Sequence, residues 1–335
     1  MGNRLENLIK GKQVLYIATK NLDYLRIQQE LNLIRDHGGI LTVIGSNRKG
    51  YLSRLAYVIP RLLFINKTNF EVVFIGFLPQ IILPLFSVLF RRKLIIIDFF
   101  ISLYDTLVFD RQRFKPGSLL ANLLKWMDKA ALKHADHVIV DTKADGDYFV
   151  RELKVDPEKV EVLYLEADSS IYYPRKIQKQ PHFKDKFVIV YFGSILPLQG
   201  VEIIIEAANM LKDNPELYFV LIGPVSKELK DKAQGSGIEF IDWLKQEQLA
   251  DYIAMADLCL AGHFNKQIDK AKRTIAGKTY IYRAMDKPVI LGKNAANREL
   301  YEEDNRTIFY VKMGDPPALK DAILKAWQVI SEKGR

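Results

Sequence analysis

Short aliphatic runs alternate with longer helix-spaced segments along this chain, in two separate series, and no other property narrows its possible folds so far. The first series has runs at 14–18, 41–44, 71–76, 94–98, 138–140 and 159–165. Between them, segments such as 25–37 and 119–134 carry apolar residues at helical spacing, and the former stops at Gly38-Gly39. Strands apolar on both faces, each followed by a helix, predict a parallel sheet covered on both sides. Residues 168–186 break the rhythm with two prolines and many polar side chains. A second series follows, with runs at 188–192, 218–222, 239–241, 258–261, 289–291 and 307–310, and helical segments at 201–211, 246–255 and 319–330. The predicted class is α/β: two doubly wound, Rossmann-like domains, residues 1–168 and 187–335, joined by a linker at 169–186, with the last helix free to pack back on the first domain. The carboxyl ends of two such sheets would line a cleft.

Residues 72–90 contain no charge and run into Arg91-Arg92-Lys93, a length and flank that suit a membrane span. A glycine and two prolines inside the run, with the aliphatic residues 94–98 so close behind, favour strand 71–76, helix 79–90 and strand 94–98 instead.

Chemistry concentrates between Lys272 and Leu300. Gly277-Lys278 opens a helix that stops near Lys287-Pro288; a short buried strand follows, and the polar loop Asn294-Ala295-Ala296-Asn297 leads into another helix. This layout aims a lysine, loop amides and a helix N-terminus into one crevice, a fit for a diphosphate. The same stretch resembles the donor-binding region of the GT-B nucleotide-sugar glycosyltransferases of the family-4-like, or group 1, class. Their pattern K-x-x-E-Y-x-A-x-x-K-P-V-I, followed by a loop ending in Glu-Leu, is matched at Lys278, Tyr282, Ala284, Lys287, Pro288, Val289, Ile290, Glu299 and Leu300. The likeness covers nearly the whole chain in layout and is specific within residues 187–300.

The resemblance implies a glycosyltransferase of hexosyltransferase type that is retaining and metal-independent. Its donor site would use the turn Gly193 to Gly200, where the family's cations fall on Ser194 and Gln199, then Gly223, Asp242 and Trp243, the amides of Asn294, Ala295, Ala296 and Asn297, and Glu299 on a ribose or sugar hydroxyl. The family's E-x7-E pair falls on Arg273 and Ile281, which brings a second cation towards Lys278. Lys278 and Arg273 would stabilise the leaving nucleoside diphosphate. On the acceptor side, Asp98, Ser102 and Asp105 follow a nearly all-aliphatic strand, and Thr19, Lys20 and Asn21 follow the first strand; Asp98 is the candidate for orienting or deprotonating the acceptor hydroxyl.

The charge is +9, and residues 1–100 hold 14 Lys and Arg against 6 Asp and Glu, a local surplus of +8. Cations scattered among aliphatics, without a nucleic-acid motif, point to an anionic membrane surface and not to nucleic acid. Asp145-Gly146-Asp147 stands beside Thr142 at an expected helix start, His134 and His137 flank a helix end, and Cys259 is a lone cysteine in an apolar run. No metal site and no cofactor is therefore expected beyond the nucleotide-sugar donor. The N-terminus lacks a secretory pattern, and Leu5-Glu6 departs from the myristoylation pattern that Met1-Gly2 begins. Together these features predict a cytoplasmic protein, peripheral on the inner membrane face, acting on a lipid-linked or polysaccharide acceptor in polysaccharide biosynthesis. A catalytically weak binding subunit and a nucleotide-sugar epimerase of the same fold are the alternatives.

Overall fold

The aliphatic runs become twelve strands in two separate sheets, and the computed structural model describes residues 4–333 apart from Ser236. Met1, Gly2 and Asn3, where the N-terminal readings begin, lie outside the described residues, as does the side chain of Lys67. The chain divides into two compact units between Glu166 and Ala167.

In the first unit the strands are β1 (Gln13–Ala18), β2 (Ile40–Ile44), β3 (Val72–Phe77), β4 (Leu94–Asp98), β5 (His137–Val140) and β6 (Val160–Val162). All pairings are parallel, in the order β2-β1-β3-β4-β5-β6. The direction of winding reverses between β1 and β3, so the crevice beyond their carboxyl ends is this sheet's natural binding position. Alternate residues of each strand face opposite sides. Val14, Tyr16 and Phe74 meet Ile27, Leu31 and Ile34 of the helix Leu25–Asp36, together with Leu5 and Ile9 of Arg4–Ile9. Leu15, Ile17, Val73 and Ile75 meet the helices Tyr51–Phe64, Pro79–Phe86, Leu119–His134 and Lys143–Leu153.

The uncharged run 72–90 is β3, a left-handed Leu78 (φ 47°), the helix Pro79–Phe86 and the 3-10 turn Ser87–Phe90. Among the described residues no helix is long and apolar enough to cross a membrane. The Thr142 hydroxyl accepts from the Asp145 amide at 3.1 Å, so Asp145-Gly146-Asp147 is the capped first turn of a helix.

A buried polar cluster holds the carboxyl edge of this sheet. Arg26 reaches from the helix Leu25–Asp36 and grips Asp98 at the end of β4 with two bonds, Nε to Oδ2 at 2.8 Å and Nη2 to Oδ1 at 3.1 Å. It also donates to the Leu163 carbonyl just past β6. Beside it the Tyr16 hydroxyl donates to Glu30, whose carboxyl is pushed well above the usual range by burial and by the Asp98 charge. Gly76 makes room for this pair: a Cβ there would stand 1.8 Å from the Tyr16 hydroxyl and 2.4 Å from Glu30 Oε2.

The second unit has β7 (Phe187–Phe192), β8 (Leu217–Ile222), β9 (Ile238–Ile241), β10 (Leu258–Leu260), β11 (Val289–Gly292) and β12 (Ile308–Val311) in the parallel order β12-β11-β10-β7-β8-β9. Its winding reverses between β7 and β10. The segment 169–186, expected as a linker, belongs to this unit's body. Tyr172 and Phe183 are buried in its core, and the Phe183 ring lies against Tyr218 with centroids 5.3 Å apart. The last helix, Pro316–Lys333, packs Leu319, Ile323 and Ala326 within its own unit, into the cluster that holds Ile204 and Ala208 of Val201–Asn209. Cys259 is buried in β10, where desolvation raises its thiol pKa.

Candidate active site

Lys278 lies at the switch point of the second sheet. It enters on the first turn of the helix Gly277–Ala284 and is 7% exposed. Its ammonium stands over the Tyr191 ring of β7 at 4.8 Å and donates to Gln199 Oε1 at 2.5 Å. Among the described residues it has no carboxylate partner, and burial alone lowers its pKa to about 7. A buried cation held only by a neutral amide and an aromatic face is a site waiting for an anion.

Three glycines let the backbone close around it. Gly193, after β7, has φ 132°, and a Cβ there would lie 3.1 Å from Lys278 Cε. Gly262, after β10, has φ 78°, and a Cβ there would lie 2.3 Å from Gln199 Oε1 and 3.3 Å from Lys278 Nζ. At Gly223, after β8, a Cβ would come 2.2 Å from the Gly193 carbonyl. The structure thus brings Gly193, Gly223, Gln199 and Lys278 together. Ser194 is exposed in the same turn, and its carbonyl accepts from the Tyr191 hydroxyl at 3.4 Å.

His263 joins this group, although sequence reasoning passed it over. It follows Gly262 in the left-handed region (φ 57°) and is buried. Its Nδ1 lies 3.2 Å from the Thr274 carbonyl, and a carbonyl only accepts, so Nδ1 carries the proton. Burial, and then the nearby Lys278 charge, lower its pKa to about 3, so the ring is neutral and its Nε2 is left as an acceptor. The signal that could have found it is its position immediately beyond β10 at the switch point.

Arg273 is buried at the end of the helix Asp269–Arg273. The loop after β11 is tied to that helix: Asn294 Nδ2 donates to the Ala271 carbonyl at 2.8 Å, and the Ala295 amide to the Lys272 carbonyl at 3.2 Å. The Asn297 amide donates to Asn294 Oδ1 at 2.7 Å, and Asn297 Nδ2 to the Gly292 carbonyl at 2.8 Å. The amides of Ala295 and Asn297, expected to face the phosphates, are thus spent on holding the loop in place. The Ala296 carbonyl accepts from the amide of half-buried Glu299.

Asp242 and Trp243 stand past the end of β9, two strands from β7, or roughly 10 Å at ordinary strand spacing. Asp242 pairs with Lys230 at 2.8 Å, and Trp243 is 74% exposed, so it is not a packing residue.

In the first unit Asp98 is corrected. Both of its oxygens accept from Arg26 and it is buried, so it is engaged by the helix Leu25–Asp36 and not presented to solvent. Ser102 donates to Asp128 Oδ2 at 2.6 Å and accepts from the Asp105 amide at 3.0 Å, while the Asp105 carboxylate accepts from Tyr148 at 3.4 Å. Asp128 is the hub here. It also accepts from the amides of Leu103 and Tyr104, both at 3.0 Å, and from Gln80 at 3.0 Å, while burial raises its pKa to about 6. Thr19 and Lys20 do meet at the first unit's switch point. The Thr19 hydroxyl donates to the Phe77 carbonyl at 2.8 Å, and the Lys20 ammonium stands 5.6 Å and 5.7 Å from the Tyr24 and Phe77 rings. Asn21 accepts the Tyr24 amide on its carbonyl at 3.1 Å. Among the described residues no three His, Cys, Asp or Glu side chains gather as a metal site requires.

Comparison with known proteins agrees with this arrangement. The family described as Glycosyl transferases group 1 matches residues 186–328. The D-inositol 3-phosphate glycosyltransferase of Corynebacterium kroppenstedtii is 26% identical over 160 residues, covering 42% of this chain and 36% of that one. The chain spans about a third of the length of the curated relatives it matches. Among solved structures, Anabaena HepE in complex with UDP and glucose has TM-score 0.61 at 17% identity, covering 96% of this chain and 93% of that one. Sucrose-phosphate synthase from Thermosynechococcus elongatus has TM-score 0.70 at 13% identity, covering 95% and 90%. The chain has the GT-B fold, and its residues 186–328 match the Glycosyl transferases group 1 family.

Proposed function

We propose that this protein transfers a sugar from a nucleoside-diphosphate-sugar to a lipid-linked or polysaccharide acceptor at the inner membrane face, with retention at the anomeric carbon and without a metal ion. One observation carries the reading: the buried Lys278 ammonium, without a carboxylate partner among the described residues, at the switch point of a sheet within the stretch that matches the group 1 family. As the bond between the sugar carbon and the diphosphate oxygen breaks, its electron pair stays on that oxygen. A fixed cation there stabilises the transition state without a proton transfer. The +8 surplus of residues 1–100 supports the membrane part of the reading. Thermal shift against UDP and GDP tests donor binding, since a ligand of the native state raises apparent stability. Transfer from a matching nucleotide sugar in the same sample tests catalysis. Arg273 and Ile281, standing where the family has its glutamate pair, favour one second reading, a binding subunit; donor binding without transfer would select it.

Two expected results test the site's charges. Arg273→Glu is expected to weaken UDP binding itself, about tenfold or more for loss and reversal of a charge contact. Calorimetry showing parent-like UDP affinity would remove Arg273 from the phosphate site. The second concerns pH. With a free-protein pKa of about 7, Lys278 loses its proton just where a diphosphate is fully ionised. Binding an anion favours the charged form, so it takes up a proton, and UDP affinity should fall by up to about tenfold per pH unit above 7. In Lys278→Ala that slope should vanish; a slope kept in the variant would assign it to another group.

A further inference from the structure

Sixteen large apolar side chains are exposed among the described residues, and nine of them lie on three of the four helical segments that cover one face of the first sheet; the fourth, Lys143–Leu153, exposes none and carries the exposed acids Asp147 and Glu152. Leu52 and Phe64 stand out from Tyr51–Phe64, Leu85 and Val88 from residues 79–90, and Leu119, Leu123 and Trp126 from Leu119–His134. Gln80 bonded to Asp128 ties the second segment to the third. The helices on the opposite face, Arg4–Ile9 and Leu25–Asp36, expose none. Charge follows the same division. Residues 51–64, 79–93 and 119–134 carry Arg54, Arg61, Arg91, Arg92, Lys125 and Lys129 among their cations, and their one carboxylate, Asp128, is buried.

Scattered single apolar residues need no explanation, but a run of them across three neighbouring helices does. Aliphatic and tryptophan side chains among cations, with no exposed carboxylate on these three helices, match a surface that is itself anionic and offers acyl chains beneath. We propose that this three-helix face is a docking surface for an anionic lipid bilayer. The helices lie flat on it, with Leu119, Leu123 and Trp126 entering the acyl boundary and the cations meeting headgroup phosphates. Leu119–His134 takes part although it lies outside the basic first hundred residues. The surface stands independently of the transfer reading, since none of its residues belongs to the donor site.

Co-sedimentation of the full chain with phosphatidylcholine vesicles, with and without phosphatidylglycerol, tests it. Retention on the phosphatidylglycerol vesicles is expected, weakened by salt because headgroup contacts are screened. L123E/W126E is expected to lower the bound fraction about tenfold or more, and R91E/R92E to act on the anionic vesicles alone. R35E, on the opposite face, should change nothing. Brominated acyl chains should quench Trp126, read as the difference between the parent and W126F. Circular dichroism and the UDP thermal shift confirm that each variant is folded, and they report on the donor site separately. Absence of binding to both vesicle types overturns the proposal, as does undiminished retention of L123E/W126E. A concentration-dependent dimer of the parent that L123E/W126E converts to monomer would overturn it in favour of a second copy of the chain.

Discussion

Replacing Lys278 with alanine is expected to cut turnover roughly a hundredfold or more while leaving the fold standing, the loss typical of a principal charge contact in the transition state. The two halves of that result have separate causes. Turnover falls because, among the described residues, no other buried ammonium stands at the switch point to meet charge developing on the leaving diphosphate. Stability does not fall, because a buried ammonium that, among the described residues, donates only to Gln199 Oε1 is a cost to the folded state. Lys278→Met, which fills the same volume, should therefore melt at or above the parent's temperature. Steady-state kinetics at saturating donor, with a melting curve of each variant, decide the matter: parent-like turnover in Lys278→Ala would remove this residue from the mechanism.

The largest loss of stability is expected at Arg26. Arg26→Leu leaves Asp98 buried without its two bonds, and breaking such a pair from one side costs about 3–5 kcal/mol. In a unit of this size that lowers the melting temperature on the order of 10 °C. Taking out both partners, in Arg26→Leu/Asp98→Leu, should recover part of the loss, since the buried Asp98 charge goes with its partner and the more exposed Asp141, 3.8 Å from Arg26, keeps access to water. Urea unfolding of the two single variants and the double variant measures the coupling. Additive losses would show that the pair does not act as a unit. Asp98→Asn should likewise lose stability in proportion to its loss of activity, as expected of a structural carboxylate.

The strands were legible because a strand buried on both faces must be aliphatic throughout, and nothing else in a chain of this composition looks like that. The helices Leu119–His134 and Gln246–Met255 begin and end where their apolar spacing does. The segment 169–186 misled because its polar surface conceals two aromatic anchors, Tyr172 and Phe183, whose spacing follows no period. The lysine of the candidate site could be picked out because it opens a helix after a glycine. Gln199 was a candidate only through the resemblance, and its bond to Lys278 could not be read from the sequence, because the two are 79 positions apart and only the order of β7 beside β10 brings them together. Asp98 shows the converse. A carboxylate at the end of a strand faces either a crevice or the interior, and the deciding partner, Arg26, lies 72 positions earlier on a helix with no sequence mark of its own. Asp128 is similar: on a helix it reads as one more surface charge, until four donors converge on it.

Gly76 carries a consequence for how this sequence can drift. The space a methyl group would need is already filled by the Tyr16 hydroxyl and the Glu30 carboxyl, and both sit on elements that cannot retreat, a central strand and the helix packed on it. No side chain can enter position 76 while both of those groups remain. A lineage that gained one would first have to pass through a chain lacking the phenol or the acid, with the surviving partner buried and unsatisfied. The three positions are therefore inherited as one character, and among relatives of this chain they should be found kept together or replaced together, with few intermediates surviving between the two states.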